Sequence, residues 1–164
     1  MKKSTYNHRH AVGYNPDRPR APWTLDGVHY FNSGNLAECE ASDFYGYGFR
    51  YDTDGVPFDK GSDIEPLRYS VKSHNCSLGS VYTTHNTPEG KAEIIAEYFR
   101  RTCSVGWVYV VRYEEHSDIY EMDAQEFRHL LENFGSMSRE SGKTVYKIKI
   151  KTSQKMVRWF EGLA

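Results

Sequence analysis

The sequence contains no long hydrophobic run and no set of paired cysteines. Its apolar stretches all fall short of the roughly 20 residues that cross a membrane as a helix, and its first residues lack the apolar segment of a secretory signal. Its three cysteines show no paired spacing, which argues against a disulfide framework or a zinc knuckle. These absences predict a soluble cytoplasmic protein that does not bind a membrane.

The composition is that of one globular domain with an uneven distribution of charge. The 164 residues are 38% hydrophobic and 15% aromatic, which is enough to bury a substantial core. The net charge is only −1, but residues 1–20 carry +4, residues 26–65 carry −7 and residues 139–158 carry +6. An acidic middle between basic ends suits a metal site flanked by surfaces that bind a polyanion. The alternative is that solvated charges simply cluster along the chain.

Hydrophobic periodicity predicts a single α/β (α+β) domain over residues 1–164, with a mixed β-sheet flanked by helices and an irregular basic arm over about 1–24. The predicted helices cover about 35–45, 88–103 and 123–134, with a short one after Ser153. The predicted strands are a short one within 23–31, then 64–67, 68–73, 107–113, 119–122 and an alternating stretch over 143–151. The helix starts at 87–88 and 123–126 carry threonine–proline and capping-box signals.

The clearest chemical signal is an aspartate in one short segment and a lysine in the next. Asp63 follows Gly61 and Ser62, and Lys72 lies nine residues later in the second predicted strand. A β-hairpin or β-arch would bring the two side chains together at one edge of a sheet. A carboxylate there can hold a divalent cation, and an ammonium group can orient a water or stabilise negative charge. These two groups are the minimum set of side chains for metal-assisted cleavage of a phosphodiester.

The order of these segments over about residues 33–113 resembles the PD-(D/E)xK nuclease superfamily. In that family a first helix carries a glutamate, a strand begins at an aspartate, and the next strand bears acid-x-lysine. Here Glu38, Asp63 and Lys72 match those three positions. The resemblance implies a restriction-endonuclease-like fold, DNA as substrate, and Mg²⁺ (or Mn²⁺) held by Glu38 and Asp63. Two cuts in a duplex would favour a homodimer.

The chain departs from the family pattern at one position that normally carries a metal-binding acid. Ser70 occupies the place of the acid two residues before Lys72, and a hydroxyl is a poor Mg²⁺ ligand. Some restriction enzymes of the superfamily have the same Ser-Val-Lys strand and take the missing carboxylate from the following helix. In this chain Glu97 borders the apolar stripe of that helix, so it is the predicted metal ligand and catalytic residue, with Glu93 as the next choice.

Each of these residues also has a purely structural interpretation. Asp63 is a common turn residue, and Lys72 could be a surface lysine on a strand. Glu38 follows Asn35 by three residues, so it could be the reciprocal acid of a capping box. Glu97 could be a solvated helix acid.

The leading functional prediction is a metal-dependent deoxyribonuclease, an Mg²⁺-dependent endonuclease of bacterial or phage and mobile-element type. Its catalytic residues would be Asp63, Lys72, Glu97 and Glu38. Two alternatives remain open: a nuclease-like fold that binds nucleic acid without cleaving it, and a phage accessory module that binds proteins. The predicted DNA-binding residues are Lys2, Lys3, Arg9, Arg18, Arg20, Lys147, Lys149 and Lys151. The lysines over 143–151 could instead protect an edge strand from aggregation.

Overall fold

The computed structural model describes residues 1–10, 12–14, 17, 23–25, 29–31, 33–49, 62–73, 77–80 and 87–163. The strands in these ranges are β1 (Lys2–Asn7), β2 (Val12–Tyr14), β3 (Trp23–Leu25), β4 (His29–Phe31), β5 (Tyr69–Lys72), β6 (Ser77–Ser80), β7 (Gly106–Arg112), β8 (His116–Met122), β9 (Gly135–Glu140) and β10 (Lys143–Ile148). The helices are α1 (Ser33–Phe44), α2 (Pro88–Arg101), α3 (Ala124–Phe134) and α4 (Ile150–Leu163). Within the described ranges, no helix is both long enough and apolar enough to span a membrane.

The central sheet has four strands in the order β1-β8-β7-β5. The pairs β1–β8 and β8–β7 are antiparallel, whereas β5 and β7 are parallel and are joined through α2. A parallel pair needs such a crossover because its strands run in the same direction. Strand β7 is buried on both faces, which confirms the prediction of a central strand from its continuous apolar run. The predicted mixed sheet with flanking helices is therefore confirmed.

Two hydrophobic clusters cover the two faces of this sheet. On one face, β7 and β8 pack against α2, α3, α4 and β10 through a cluster that includes Trp107, Tyr109, Tyr120, Phe127, Tyr146 and Phe160. On the other face, α1 packs against the sheet through a cluster that includes Tyr6, Ala37, Ala41, Val71, Val108, Val110 and Ile119. The alternation of side chains along each strand assigns residues to one cluster or the other.

The sequence signals for two helix starts are confirmed. The Thr87 side chain accepts a hydrogen bond from Gly90 N at 3.1 Å, and Pro88 begins α2. The Asp123 side chain accepts from Glu126 N at 2.8 Å at the start of α3. Both caps satisfy amide groups that have no partner inside the helix.

Three local predictions differ from the structure. Residues Lys2–Asn7 are not an irregular arm, because they form β1 and pair with β8 over their whole length. The segment predicted as a strand over 64–67 is a 3₁₀ turn over Glu65–Leu67. Strand β10 ends at Ile148 and α4 begins at Ile150, so Lys151 lies in a helix and not on the predicted lysine face of a strand.

Two smaller sheets complete the described elements. Strands β6, β10 and β9 form one of them, and β2, β3 and β4 form the other. The short strand predicted within 23–31 is two strands, β3 and β4, paired antiparallel. Asp26 and Gly27, an Asp-Gly pair that indicates a turn in the sequence, lie outside the described residues.

A buried carboxylate attaches α1 to the sheet. Glu40 is almost completely buried, and its Oε1 accepts a hydrogen bond from Arg112 Nε at 3.0 Å. Its Oε2 accepts from the Ser117 hydroxyl at 2.7 Å. His8 Nε2 lies 3.3 Å from Glu40 Oε1 and 2.9 Å from Ser117 Oγ. Burial lowers the pKa of His8, although the nearby Glu40 carboxylate acts in the opposite direction.

Two tyrosine hydroxyls add further contacts between α1 and the sheet. Tyr6 donates to Asp43 Oδ2 at 2.7 Å, and Tyr45 donates to the Glu121 carboxylate. Burial is the main cause that raises the pKa of both tyrosines, and the hydrogen bonds add to it. Both hydroxyls therefore stay protonated near neutral pH and continue to donate.

We predict that Glu40→Ala lowers the free energy of unfolding by about 3 kcal/mol, because it leaves Arg112 and Ser117 without their buried acceptor. Urea unfolding measures this loss. The matched control is Glu132→Ala, which removes an exposed glutamate from α3 and is expected to change the value by less than about 0.5 kcal/mol. Equal effects of the two substitutions would contradict an anchoring role for Glu40.

Candidate functional site

The candidate site lies on a β-arch that leads into the edge strand β5. Ile64 and Tyr69 form an antiparallel bridge, with Ile64 N donating to Tyr69 O at 2.9 Å and Tyr69 N donating to Ile64 O at 3.2 Å. Glu65–Leu67 form the 3₁₀ turn between them. The arch reverses the chain, so the residue before the bridge lies next to the residues after it.

This geometry brings Asp63 to the beginning of β5. Asp63 Oδ2 accepts a hydrogen bond from the Ser70 hydroxyl at 3.1 Å and another from Val71 N at 2.6 Å. The same oxygen accepts both bonds, so Oδ1 can bind a cation without breaking either of them. The side chain of Asp63 is thereby fixed against the Ser-Val-Lys segment.

Lys72 is the last residue of β5 and is half-buried. Val71 packs into the cluster beneath α1, so the alternation of the strand directs Ser70 and Lys72 to the opposite face. Lys72 pairs with Tyr109 in the parallel register, and Ser70 pairs with Trp107. Ser70, which holds Asp63, and Lys72 therefore lie on the same face of the sheet.

Glu38 belongs to α1, which packs on the other face of the sheet from Ser70 and Lys72. Its side chain is half-buried. Helix α1 begins at Ser33, so Asn35 lies inside the helix and not at its cap. The capping-box interpretation of Glu38 is therefore wrong, and no described contact joins Glu38 to Asp63.

Glu97 lies on α2 and forms ion pairs with two arginines at the end of that helix. Its Oε2 accepts from Arg100 Nε at 2.8 Å, and its carboxylate also contacts Arg101. The hydrogen bond from Arg100 is the main cause that lowers the pKa of Glu97, and the charges of both arginines contribute. Glu93 is exposed on the same helix.

A metal centre needs several acidic, histidine or cysteine side chains close together. No group of three or more His, Cys, Asp and Glu side chains within the described ranges is arranged to hold a metal ion. Mg²⁺, however, commonly retains several waters and is bound through one or two carboxylates together with substrate phosphates. Asp63, whose two hydrogen bonds to described residues both go to Oδ2, has the chemistry of such a carboxylate.

The predicted DNA-binding residues near the start of the chain are spread over β1 and the segment after it. Lys2 is exposed on β1, and Arg9 is exposed with its guanidinium 6.0 Å from the ring centre of Tyr6. Lys3 lies 3.5 Å from Asp118. Arg18 and Arg20 lie outside the described residues.

The later lysines do not form one surface strand. Lys147 on β10 pairs with Glu140 on β9, and Lys149 is exposed between β10 and α4. Lys151 belongs to α4, so only Lys147 of these three lysines lies on a strand. The three predicted lysines at 147, 149 and 151 therefore do not form one face of a strand.

Sequence reasoning did not identify two residues at the arch. Ser70 was noted only as a missing acid, yet its hydroxyl donates to Asp63. Arg68 was not singled out, yet it has a left-handed backbone conformation at the turn. The proline at 66 was the available signal for a turn, but no local pattern indicates which side chains it brings together.

Comparison of this chain with protein-family models, with curated proteins and with solved structures gives no match. The resemblance to the nuclease superfamily therefore depends on the order and spacing of Glu38, Asp63 and Lys72 alone.

We predict that Ser70→Ala lowers the free energy of unfolding by about 1 kcal/mol, because Asp63 loses one of two hydrogen bonds in a partly buried place. Urea unfolding measures the loss. Ser136→Ala on β9 is the control, since it removes a hydroxyl far along the chain from the arch. A loss no larger than that of the control would show that the bond between Ser70 and Asp63 contributes nothing.

Proposed function

We propose that the chain is a metal-dependent deoxyribonuclease with Asp63 and Lys72 at its catalytic centre. The observation that supports this most strongly is the pair of hydrogen bonds that Asp63 Oδ2 accepts from Ser70 Oγ and Val71 N. They hold a carboxylate at the strand that ends in Lys72. Hydrolysis of a phosphodiester would need the Lys72 ammonium group close to this carboxylate.

Each residue of the proposed catalytic centre would have a separate role. Asp63 would bind Mg²⁺ or Mn²⁺ through Oδ1, while Ser70 and the Val71 amide fix the orientation of its carboxylate. The cation, when bound, would neutralise phosphate charge and lower the pKa of a coordinated water. Lys72 would hold that water in line with the phosphate or stabilise the negative charge that develops on it.

Glu97 is proposed as the second carboxylate of this centre. Helix α2 covers the face of the sheet to which Ser70 and Lys72 point. The Glu97 side chain is 39% exposed, and ion pairs of exposed residues contribute little to stability. Exchanging its arginines for a cation would therefore cost little free energy.

A second candidate function is a protein that binds nucleic acid without cleaving it. Two observations favour it: the Glu97 carboxylate contacts Arg100 and Arg101, and the described ranges hold no group of three metal-binding side chains. Under this proposal Lys72 binds phosphate, and Asp63 serves only to shape the arch.

We expect the protein to cleave plasmid or single-stranded DNA in Mg²⁺ or Mn²⁺ and not in EDTA. Asp63→Asn and Lys72→Ala are each expected to lower the rate by about 100-fold or more, because each removes a group that acts in the transition state. Gel electrophoresis of the products measures the rate. Lys143→Ala, which removes an exposed lysine of β10, is the control and should cleave normally. Absence of cleavage by the unmodified protein in every metal would favour the binding protein.

We further expect Glu97→Gln to lower metal-dependent cleavage by about 100-fold while DNA binding survives, since it keeps the size of the side chain and removes its charge. Cleavage and electrophoretic mobility shift are measured on the same preparations. Normal cleavage by Glu97→Gln and by Glu93→Gln would rule out a carboxylate supplied by α2. The cation would then depend on Asp63 and the substrate phosphate.

A further inference from the structure

Arg68, at the end of the 3₁₀ turn, has an unusual backbone conformation. Its φ is 55° and its ψ is 42°, in the left-handed region that glycine and asparagine favour and that costs other residues conformational energy. No local side-chain bond of the Asn or Asp type is available to an arginine to offset this cost. A strained residue persists where the surrounding structure holds it, and such residues are frequent at binding sites.

Three hydrogen bonds hold Arg68 in place. Its N donates to Glu65 O at 3.0 Å, its carbonyl oxygen accepts from Val105 N at 2.8 Å, and its Nε donates to Cys103 O at 3.1 Å. The residue is nevertheless exposed. The side-chain bond occupies only Nε, so the two terminal amino groups can bind a planar pair of oxygens without breaking it. An arginine immobilised in this way loses little side-chain entropy when it binds phosphate.

Arg68 belongs to the same arch as Asp63 and comes just before β5. The bridge between Ile64 and Tyr69 places Asp63 on one side of the arch and Ser70 on the other, and Arg68 is next to Tyr69. The Nε bond also directs the Arg68 side chain toward the loop after α2. Arg100 and Arg101, whose side chains are 71% and 70% exposed, end that helix just before the loop. Glu97 pairs with both of these arginines, so they add only part of their positive charge to that of Arg68.

We propose that Arg68 binds a phosphate of the DNA backbone beside the phosphodiester that Asp63 and Lys72 act on. This assignment rests on the DNA-binding part of the proposed function and does not depend on cleavage. Arg68 thus determines where the strand lies relative to Asp63. The sequence did not indicate this binding residue. Its charge distribution pointed to basic residues at 1–20 and 143–151.

The test is DNA binding in EDTA, which separates binding from cleavage. Fluorescence anisotropy with a short labelled duplex and a single-stranded oligonucleotide gives the affinity at several NaCl concentrations. We expect Arg68→Gln to weaken binding about tenfold, because it removes a charge-assisted contact to phosphate. The slope of log affinity against log salt should decrease by about 0.7 to 0.9, the value for one phosphate contact.

Arg139→Gln is the matched control. It removes an exposed arginine from β9, in a different sheet, and should leave both affinity and salt slope nearly unchanged. Arg68→Lys keeps the charge but not the paired amino groups, so it should keep the salt slope and bind about threefold more weakly. Because Arg68 also connects the arch to the loop after α2, urea unfolding checks each variant. If Arg68→Gln fails to fold, the comparison of Arg68→Lys with the unmodified protein provides the test.

Three results would overturn this assignment: no DNA binding by the unmodified protein, unchanged affinity and salt slope in Arg68→Gln, or equal losses in Arg68→Gln and Arg139→Gln. Its failure is distinguishable from failure of the nuclease proposal. If the protein cleaves DNA in metal but Arg68→Gln binds DNA as tightly as the unmodified protein, only the role of Arg68 is excluded. Binding that depends on Arg68, without cleavage in any metal, would exclude only the nuclease.

Discussion

The buried Glu40 carboxylate is the constraint on which the arrangement of one face of the protein depends. Burial of a carboxylate is costly unless charged and polar groups surround it and form hydrogen bonds with it. Arg112, Ser117 and His8 supply them from β7, β8 and the residue after β1. Because α1 is fixed in this way, its alanines cover Val71 and the neighbouring valines. The inner face of β5 is therefore covered by a helix that is held by β7, β8 and the residue after β1.

On the other side of β5, a second carboxylate, that of Asp63, also connects two segments of the chain. A single oxygen of Asp63 accepts hydrogen bonds from Ser70 and from the Val71 amide, so the arch and the strand form one unit. The amide used for this bond belongs to β5, which is the last strand of its sheet among the described residues. Asp63 accepts from the side of β5 that faces away from β7, and the bond fixes the orientation of its carboxylate. Structural and functional interpretations of this residue are compatible, since a fixed carboxylate serves both.

Sequence patterns predicted the elements whose signals are local. The caps at Thr87 and Asp123 and the apolar run in β7 each depend on neighbouring residues, and they were predicted with nearly correct bounds. Strand β1 was missed because only Tyr6 among its residues is buried, and its partner strand is more than a hundred residues away. The alternation over 143–151 suggested a longer strand, but the last part of it begins α4.

The candidate site was predictable only in outline. Spacing alone predicted that the Asp63 and Lys72 side chains lie together, but it could not reveal that Asp63 accepts hydrogen bonds from Ser70 and the Val71 amide. Burial of Glu40 was not predictable either, because an acid in the middle of a helix is normally solvated. Its partners come from three segments that are distant in sequence. Residues whose role depends on such partners carry no local signal.

The pairing of β1 with β8 has a consequence for biosynthesis. The contact between His8 and Ser117 joins residues 109 positions apart. At ordinary rates of translation, roughly 5 to 20 s pass between the emergence of one and the other. During that interval β1 is a strand without its partner, and two of its first residues are lysines, which discourage association with other chains. The sheet can therefore close only late, when the hairpin of β7 and β8 becomes available to receive it.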